Sequence, residues 1–168
     1  MKKHPFDVLF VCTGNQCRSP MAQGILQALL RKQNIQSIRV DSAGTHAVVG
    51  NSPTDETLFI AGKHGLDLSR LRSKPVSESM AVSTDLILVM SKMHRSILRD
   101  AVPSAVERLF LLKSFGRSES DPEFEAEIAD PMGGEPEEYI LCWEELEREI
   151  RRILPLIQKM AGTREFYE

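Results

Sequence analysis

The chain has 168 residues, 42% hydrophobic and 27% charged, with a formal net charge of -3. That is the composition of one soluble globular domain, large enough for a single substantial core, and the slight acidity argues against a nucleic-acid binder, which shows a basic stripe. No apolar run approaches the ~20 residues of a membrane span, the basic start MKKHPFDV has no long apolar segment behind it to make a signal peptide, and three cysteines make no disulfide framework.

The first predicted element is a strand. Val8-Leu9-Phe10-Val11 is too short for a helix and rich in strand formers. It stops at Cys12. Thr13, Gly14, Asn15, Gln16 and Cys17 then form a small polar loop in which Gly14 and Asn15 tolerate left-handed backbone. Arg18 closes the loop, and Ser19-Pro20 predicts a helix start with Ser19 as N-cap and Pro20 at the first helical position. A loop curling over a helix N-terminus aims backbone N–H groups at one point, where the dipole also favours an anion. A thiol in such a place is driven toward thiolate. A guanidinium beside it grips two oxygens of a tetrahedral oxyanion, which a lysine cannot do. The order of residues places a nucleophile inside a phosphate cradle.

Met21, Ile25 and Leu29, widened by Ala22, Leu26 and Leu30, make Pro20–Gln33 an amphipathic helix over a sheet. Ile38–Ser42 is a second strand, parallel to the first. In the following loop His46 reads as solvent-facing. Ser52-Pro53 or Thr54 caps a helix that ends near Lys63, with Leu58, Ile60 and Ala61 inward and with His64 and Gly65 as its terminus. The stretch 67–83 reads as irregular, with Arg70, Arg72 and Lys74 solvated. Leu86–Met90 is a nearly continuous apolar run, as in a central parallel strand. Ser91–Ala101 reads as a helix and Val106–Leu112 as a fourth strand. The acidic segment Glu119–Glu127 reads as a solvated loop. Leu146, Ile150, Ile153 and Ile157 mark a long last helix from about Glu138, with a kink or end expected at Pro155 and fraying from Gly162. Four strands alternating with helices predict a three-layer αβα domain on a parallel sheet. In such sheets ligands bind beyond the carboxyl ends of the strands, where Cys12 lies.

The frame strand-C-x-G-N-x-C-R-S-P-M-A-helix resembles the signature of the low-molecular-weight protein-tyrosine-phosphatase family. Val40-Asp41-Ser42-Ala43-Gly44-Thr45, His64-Gly65-Leu66, the strand at Asp85–Met90 and Ala129-Asp130-Pro131 also look like family segments, so the likeness spans nearly the whole chain. It implies a flavodoxin-like fold with a twisted four-stranded parallel sheet and the phosphate loop after strand 1, one domain over residues 1–162 and a short tail over 163–168. It further implies Cys12 as nucleophile through a phosphocysteine, with Arg18 and the loop from Thr13 to Ser19 holding the phosphoryl group. Asp130 becomes the general acid and then base, although Asp before Pro131 is also a common turn pairing. Ser19 has a hydroxyl placed to donate to the thiolate. Asn15 would brace the loop through Ser42, and Cys17 would trap an oxidised Cys12 as a disulfide. No cofactor or metal is implied: beside Cys12 and Cys17 no further ligands complete a zinc site. Cys142 reads as packing or surface. A thiolate nucleophile needs a reducing compartment, so the cytoplasm is the expected location, with a phosphorylated protein as partner and a monomer or weak dimer as the working form.

Two positions depart from the tyrosine-specific pattern. Thr13 stands where a bulky aliphatic residue is usual, and Asp130-Pro131-Met132-Gly133-Gly134 lacks the aromatic walls of a phenyl-ring pocket. Both resemble the bacterial protein-arginine-phosphatase branch, though the position of Met132 is commonly aromatic there. Phosphoarginine is therefore favoured over phosphotyrosine, with Thr13 and Met132 as specificity residues. Thioredoxin-coupled arsenate reductases share the loop but need two cysteines after the third strand, where this chain has Met90-Ser91-Lys92-Met93-His94. An idle phosphate-binding module would need neither Cys12 nor Asp130.

Overall fold

Four parallel strands stand in the order β2-β1-β3-β4 in a computed structural model that describes residues 4–164. They are β1 (Phe6–Cys12), β2 (Ile38–Gly44), β3 (Leu86–Val89) and β4 (Leu109–Leu111). Five α-helices alternate with them: α1 (Arg18–Lys32), α2 (Asp55–Lys63), α3 (Glu78–Ser83), α4 (Lys92–Ala101) and α5 (Pro136–Arg164). A 3-10 turn at Pro103–Arg108 leads into β4.

The two-residue period of β1 sorts its side chains into two cores. Val8, Phe10 and Cys12 pack on the side of α1, α2 and α5, in one cluster with Met21, Leu26, Leu88 and Ile150. Leu9 and Val11 point the other way, among Ala81, Ile87, Leu98 and Leu111, beneath α3 and α4. All four residues of β3 are buried, which is why that strand reads as an unbroken apolar run. Fully burying each such large aliphatic side chain contributes roughly 1.5–3 kcal/mol. The result is the expected three-layer α/β architecture.

Several boundaries differ from the sequence reading, each for a local reason. α1 begins at Arg18, with Cys17 as N-cap and no side-chain cap; the Cys17 carbonyl already accepts from the Met21 amide at 3.1 Å. Ser19 is therefore inside the first turn and not the N-cap, and Pro20 lies beyond the first position. The stretch 67–83 is not wholly irregular: Ser77 caps the short helix α3, its hydroxyl accepting from the Met80 amide. Val106 belongs to the 3-10 turn, so the fourth strand is only Leu109–Leu111. α5 neither ends at Pro155 nor frays at Gly162, running on to Arg164. Pro155 is exposed, so the carbonyl it leaves unpaired can take water. The rest of the expected tail, 165–168, lies outside the described residues.

Glu119–Glu127 is not simply a solvated loop either. Glu125 pairs with Arg95 at 2.9 Å and Glu123 with Arg117 at 2.5 Å, while the Glu127 carboxylate accepts from the Lys92 amide at 2.7 Å. Its charges fasten the segment to α4 and, through the pair of Glu123 with Arg148 at 3.4 Å, to α5. The expected terminus of α2 is present: His64 caps it, Gly65 follows at φ 74, and the His64 ring stacks on Trp143 of α5 at 4.6 Å.

Candidate active site

The chain leaves β1, adds β2 on one side, then crosses to add β3 on the other. A crevice opens at that reversal beyond the strand ends, where such sheets take ligands. The loop after β1 forms one wall and the loop after β3 the other.

Residues 13–17 make the first wall. Asn15 has φ 56, the left-handed region that asparagine enters at low cost. The loop carbonyls point outward and are held there: Cys12 O accepts from the Thr45 amide at 2.9 Å, Thr13 O from the His46 amide at 3.0 Å and Gln16 O from the Thr54 amide at 3.1 Å. Among the described residues no amide from Gly14 to Cys17 donates to a protein acceptor. Carbonyls turned out and amides left free make an anion-binding nest. The Asn15 side chain braces it, donating to Ser19 Oγ and to Ser42 Oγ at 2.9 Å each and accepting from the Lys74 amide at 3.1 Å. Ser42 in turn donates to Gln23 Oε1 at 2.6 Å. The brace expected between Asn15 and Ser42 is in place, and Gln23 and Lys74 extend it.

Cys12 ends β1 opposite Gly44. Its Sγ lies 3.0 Å from Ser19 Oγ, so Ser19 serves the thiol although it does not cap the helix. Gly44 cannot carry a side chain: a Cβ there would run into the Thr13 carbonyl oxygen and come within 2.9 Å of the Ala47 methyl. Arg18 is buried, its Nη1 donating to the Ile128 carbonyl at 3.0 Å, its Nη2 3.0 Å from Asp130 Oδ2, and its Nε without a protein acceptor. Asp130 is half-exposed. Its other oxygen accepts from the Met132 amide at 3.1 Å, and the Gly134 amide donates to the Pro131 carbonyl at 2.9 Å with Gly133 at φ 77. That turn needs a residue tolerant of positive φ, which explains the glycine. Met132 is exposed on it.

Cys17 turns toward α2 and α5, 3.6 Å from Thr54 Oγ1 and 3.8 Å from the Tyr139 hydroxyl. Burial pushes its pKa up, which keeps it a thiol. Cys142 is buried, its thiol pushed up to about 12 chiefly by burial; it is packing. The His46 ring is exposed, and only its amide serves the loop.

The residue that sequence reasoning missed is His94. It comes from the wall after β3, is fully buried, and sets its Nε2 2.8 Å from Thr13 Oγ1. Its Nδ1 lies 3.0 Å from Ser91 Oγ, the N-cap of α4. Only a serine-capped helix start with histidine in its first turn hinted at this; that the turn meets Thr13 is a product of the strand order.

Residues 7–163 match the family model of the low molecular weight phosphotyrosine protein phosphatase. The chain belongs to that family. Among relatives, a protein-arginine-phosphatase of Geobacillus stearothermophilus is 32% identical over 92% of this chain and 97% of its own length. The low molecular weight protein-tyrosine-phosphatase Wzb of Escherichia coli K12 is also 32% identical, over 87% and 91%. A YwlE arginine phosphatase mutant solved with a phosphorylated active-site serine superposes with TM-score 0.84 at 27% identity, covering 92% of this chain and 97% of that one. This low-molecular-weight phosphatase is thus a cysteine-dependent enzyme of phosphorylated proteins, and none of its described helices is long and apolar enough to cross a membrane.

Proposed function

We propose that the enzyme hydrolyses phosphoarginine in proteins in preference to phosphotyrosine. The observation that carries this is Thr13 Oγ1, a polar group beside the nucleophile, bonded to His94 and set where an aliphatic wall would suit a phenyl ring. The sequence likeness to named arginine phosphatases supports it. A guanidinium only donates hydrogen bonds, and a hydroxyl oxygen can accept one.

In this reading Cys12 Sγ attacks phosphorus while the P–N bond breaks, and Asp130 gives its proton to the departing guanidine nitrogen. Water then attacks phosphocysteine, Asp130 takes the proton, the S–P bond breaks, and inorganic phosphate leaves with the thiolate restored to Cys12. Ser19 Oγ donates to that thiolate. The free amides of the loop and the unpaired Arg18 Nε–H meet the equatorial oxygens as charge spreads over them. By the family likeness Cys17, whose thiol faces α2 and α5 here, would turn to capture a sulfenic Cys12 as a disulfide with loss of water. Such thiol chemistry favours a reducing compartment such as the cytoplasm.

The test is kcat/KM of the purified, reduced protein on matched phosphoarginine and phosphotyrosine peptides, with Cys12→Ser as blank. Preference for phosphoarginine that collapses in Thr13→Ile is the expected result. Preference for phosphotyrosine in the wild type makes the enzyme a tyrosine phosphatase and Thr13 incidental.

A further inference from the structure

Thr13 does not stand alone in the crevice. Its hydroxyl is the end of a chain, Ser91–His94–Thr13, that joins the wall after β3 to the wall after β1. Every member is tied down. Ser91 Oγ accepts from the His94 amide at 3.3 Å as cap of α4, and the imidazole between the two hydroxyls is 0% exposed.

Hydrogen counting among the described residues points one way along the chain. Burial, and after it the charge of Arg18, lowers the His94 pKa to about 4; Asp130 and Glu127 oppose this and His46 adds to it, so the ring is neutral near pH 7. A neutral ring carries one N–H. The Ser91 oxygen already receives the His94 amide, and its own hydrogen has no acceptor among the described residues except His94 Nδ1. With Ser91 donating to Nδ1, the ring proton sits on Nε2 and is donated to Thr13 Oγ1. A threonine oxygen has two lone pairs. One is filled by His94, and one remains for a donor from the substrate.

We propose that His94 is a specificity-determining positioning residue, which clamps the Thr13 hydroxyl so that its remaining lone pair receives an N–H of the phosphoguanidinium leaving group. This rests on the phosphoarginine reading. A phosphotyrosine ester offers no N–H at that place, so the clamp discriminates between substrates and does not serve phosphoryl transfer in general. It also explains why a buried histidine is tolerated in the wall: both of its nitrogens are partnered.

The experiment compares wild type, His94→Leu and His94→Asn on the matched peptides, reading the ratio of kcat/KM for phosphoarginine over phosphotyrosine. The ratio is expected to fall about tenfold in His94→Leu, one hydrogen bond's worth of orientation, with His94→Asn restoring part of it through its amide donor. An equal loss on both substrates, leaving the ratio unmoved, overturns the clamp. Should His94→Leu fail to fold, Ser91→Ala releases the other end and must lower the same ratio. Ring-nitrogen NMR gives an arm independent of turnover: Thr13→Val must shift His94 Nε2, and an unchanged resonance overturns the bond. A wild type that turns over phosphotyrosine alone overturns the phosphoarginine reading, and with it the proposed role of the clamp, even if the NMR shows the bond.

Discussion

Thr13 and His94 satisfy each other's polar atoms across the crevice, and this gives the pair a measurable stability. Replacing Thr13 by valine leaves His94 Nε2 buried without a partner, at a cost of about 1–3 kcal/mol. Urea unfolding of Thr13→Val checks it, and the loss should shrink in the double variant with His94→Leu, where both partners are apolar. The same histidine makes stability depend on pH. Its folded pKa of about 4 lies below the ~6.5 of an unfolded histidine, so between these values the unfolded chain binds the extra proton. Stability due to His94 is complete above about pH 6.5 and declines as the pH falls toward 4. Denaturation midpoints across that range should drop, and the drop should flatten in His94→Leu. Neither residue's partner was legible in the sequence. Cys12 and Arg18 were, because they flank one short loop and local spacing reports local geometry, whereas Asn15 as a brace and Asp130 came only from the family resemblance; Thr13 and His94 are far apart in the chain and meet only through the strand order.

Among the elements, β2 matters more than a covering strand would. Its last residue, Gly44, is in register with Cys12, and its missing side chain is what lets the Thr13 carbonyl turn outward. Gly44→Ala forces that carbonyl to move, and with it the nest amides. The expected outcome is a loss in kcat/KM of about 10²-fold, the size seen when reacting groups are displaced by about 1 Å, together with a lowered denaturation midpoint, because the added Cβ meets backbone atoms that must shift. Steady-state kinetics beside thermal melts would show it. Strand cores could be read from short apolar runs, and the two long amphipathic helices from their periodicity. The start of α1 could not, because Cys17 takes over as cap while its side chain faces α2 and α5. Nor could α3, whose six residues are too few for a period to emerge.

Across the whole molecule, the acidic segment and α5 are joined by a buried ionic network that composition did not reveal. Glu149 is 0% exposed and pairs with Arg117 at 2.5 Å and Arg152 at 2.9 Å. Burial alone raises its pKa, but its bonds to the two arginines outweigh this and hold it below the usual value. Removing one member strands the others. Glu149→Ala is expected to cost about 3–5 kcal/mol, measured by chemical denaturation, and the wild-type contribution should fade as the pH drops through the carboxylate range. Arg152 also donates to the Phe115 carbonyl at 2.7 Å. The network thus anchors the start of the segment that runs on to Ile128, whose carbonyl holds Arg18.

The crossing of the chain from β2 to β3 divides labour. On the proposed reading, attack on phosphorus would belong to the loop of β1, and recognition of the leaving group would be shared with the loop of β3. The two walls come from separate stretches of chain and meet at the Thr13–His94 bond. On that reading, substitutions at His94 and at the single loop position Thr13 would change which phosphorylated side chain is preferred while Cys12, Arg18 and Asp130 stay as they are.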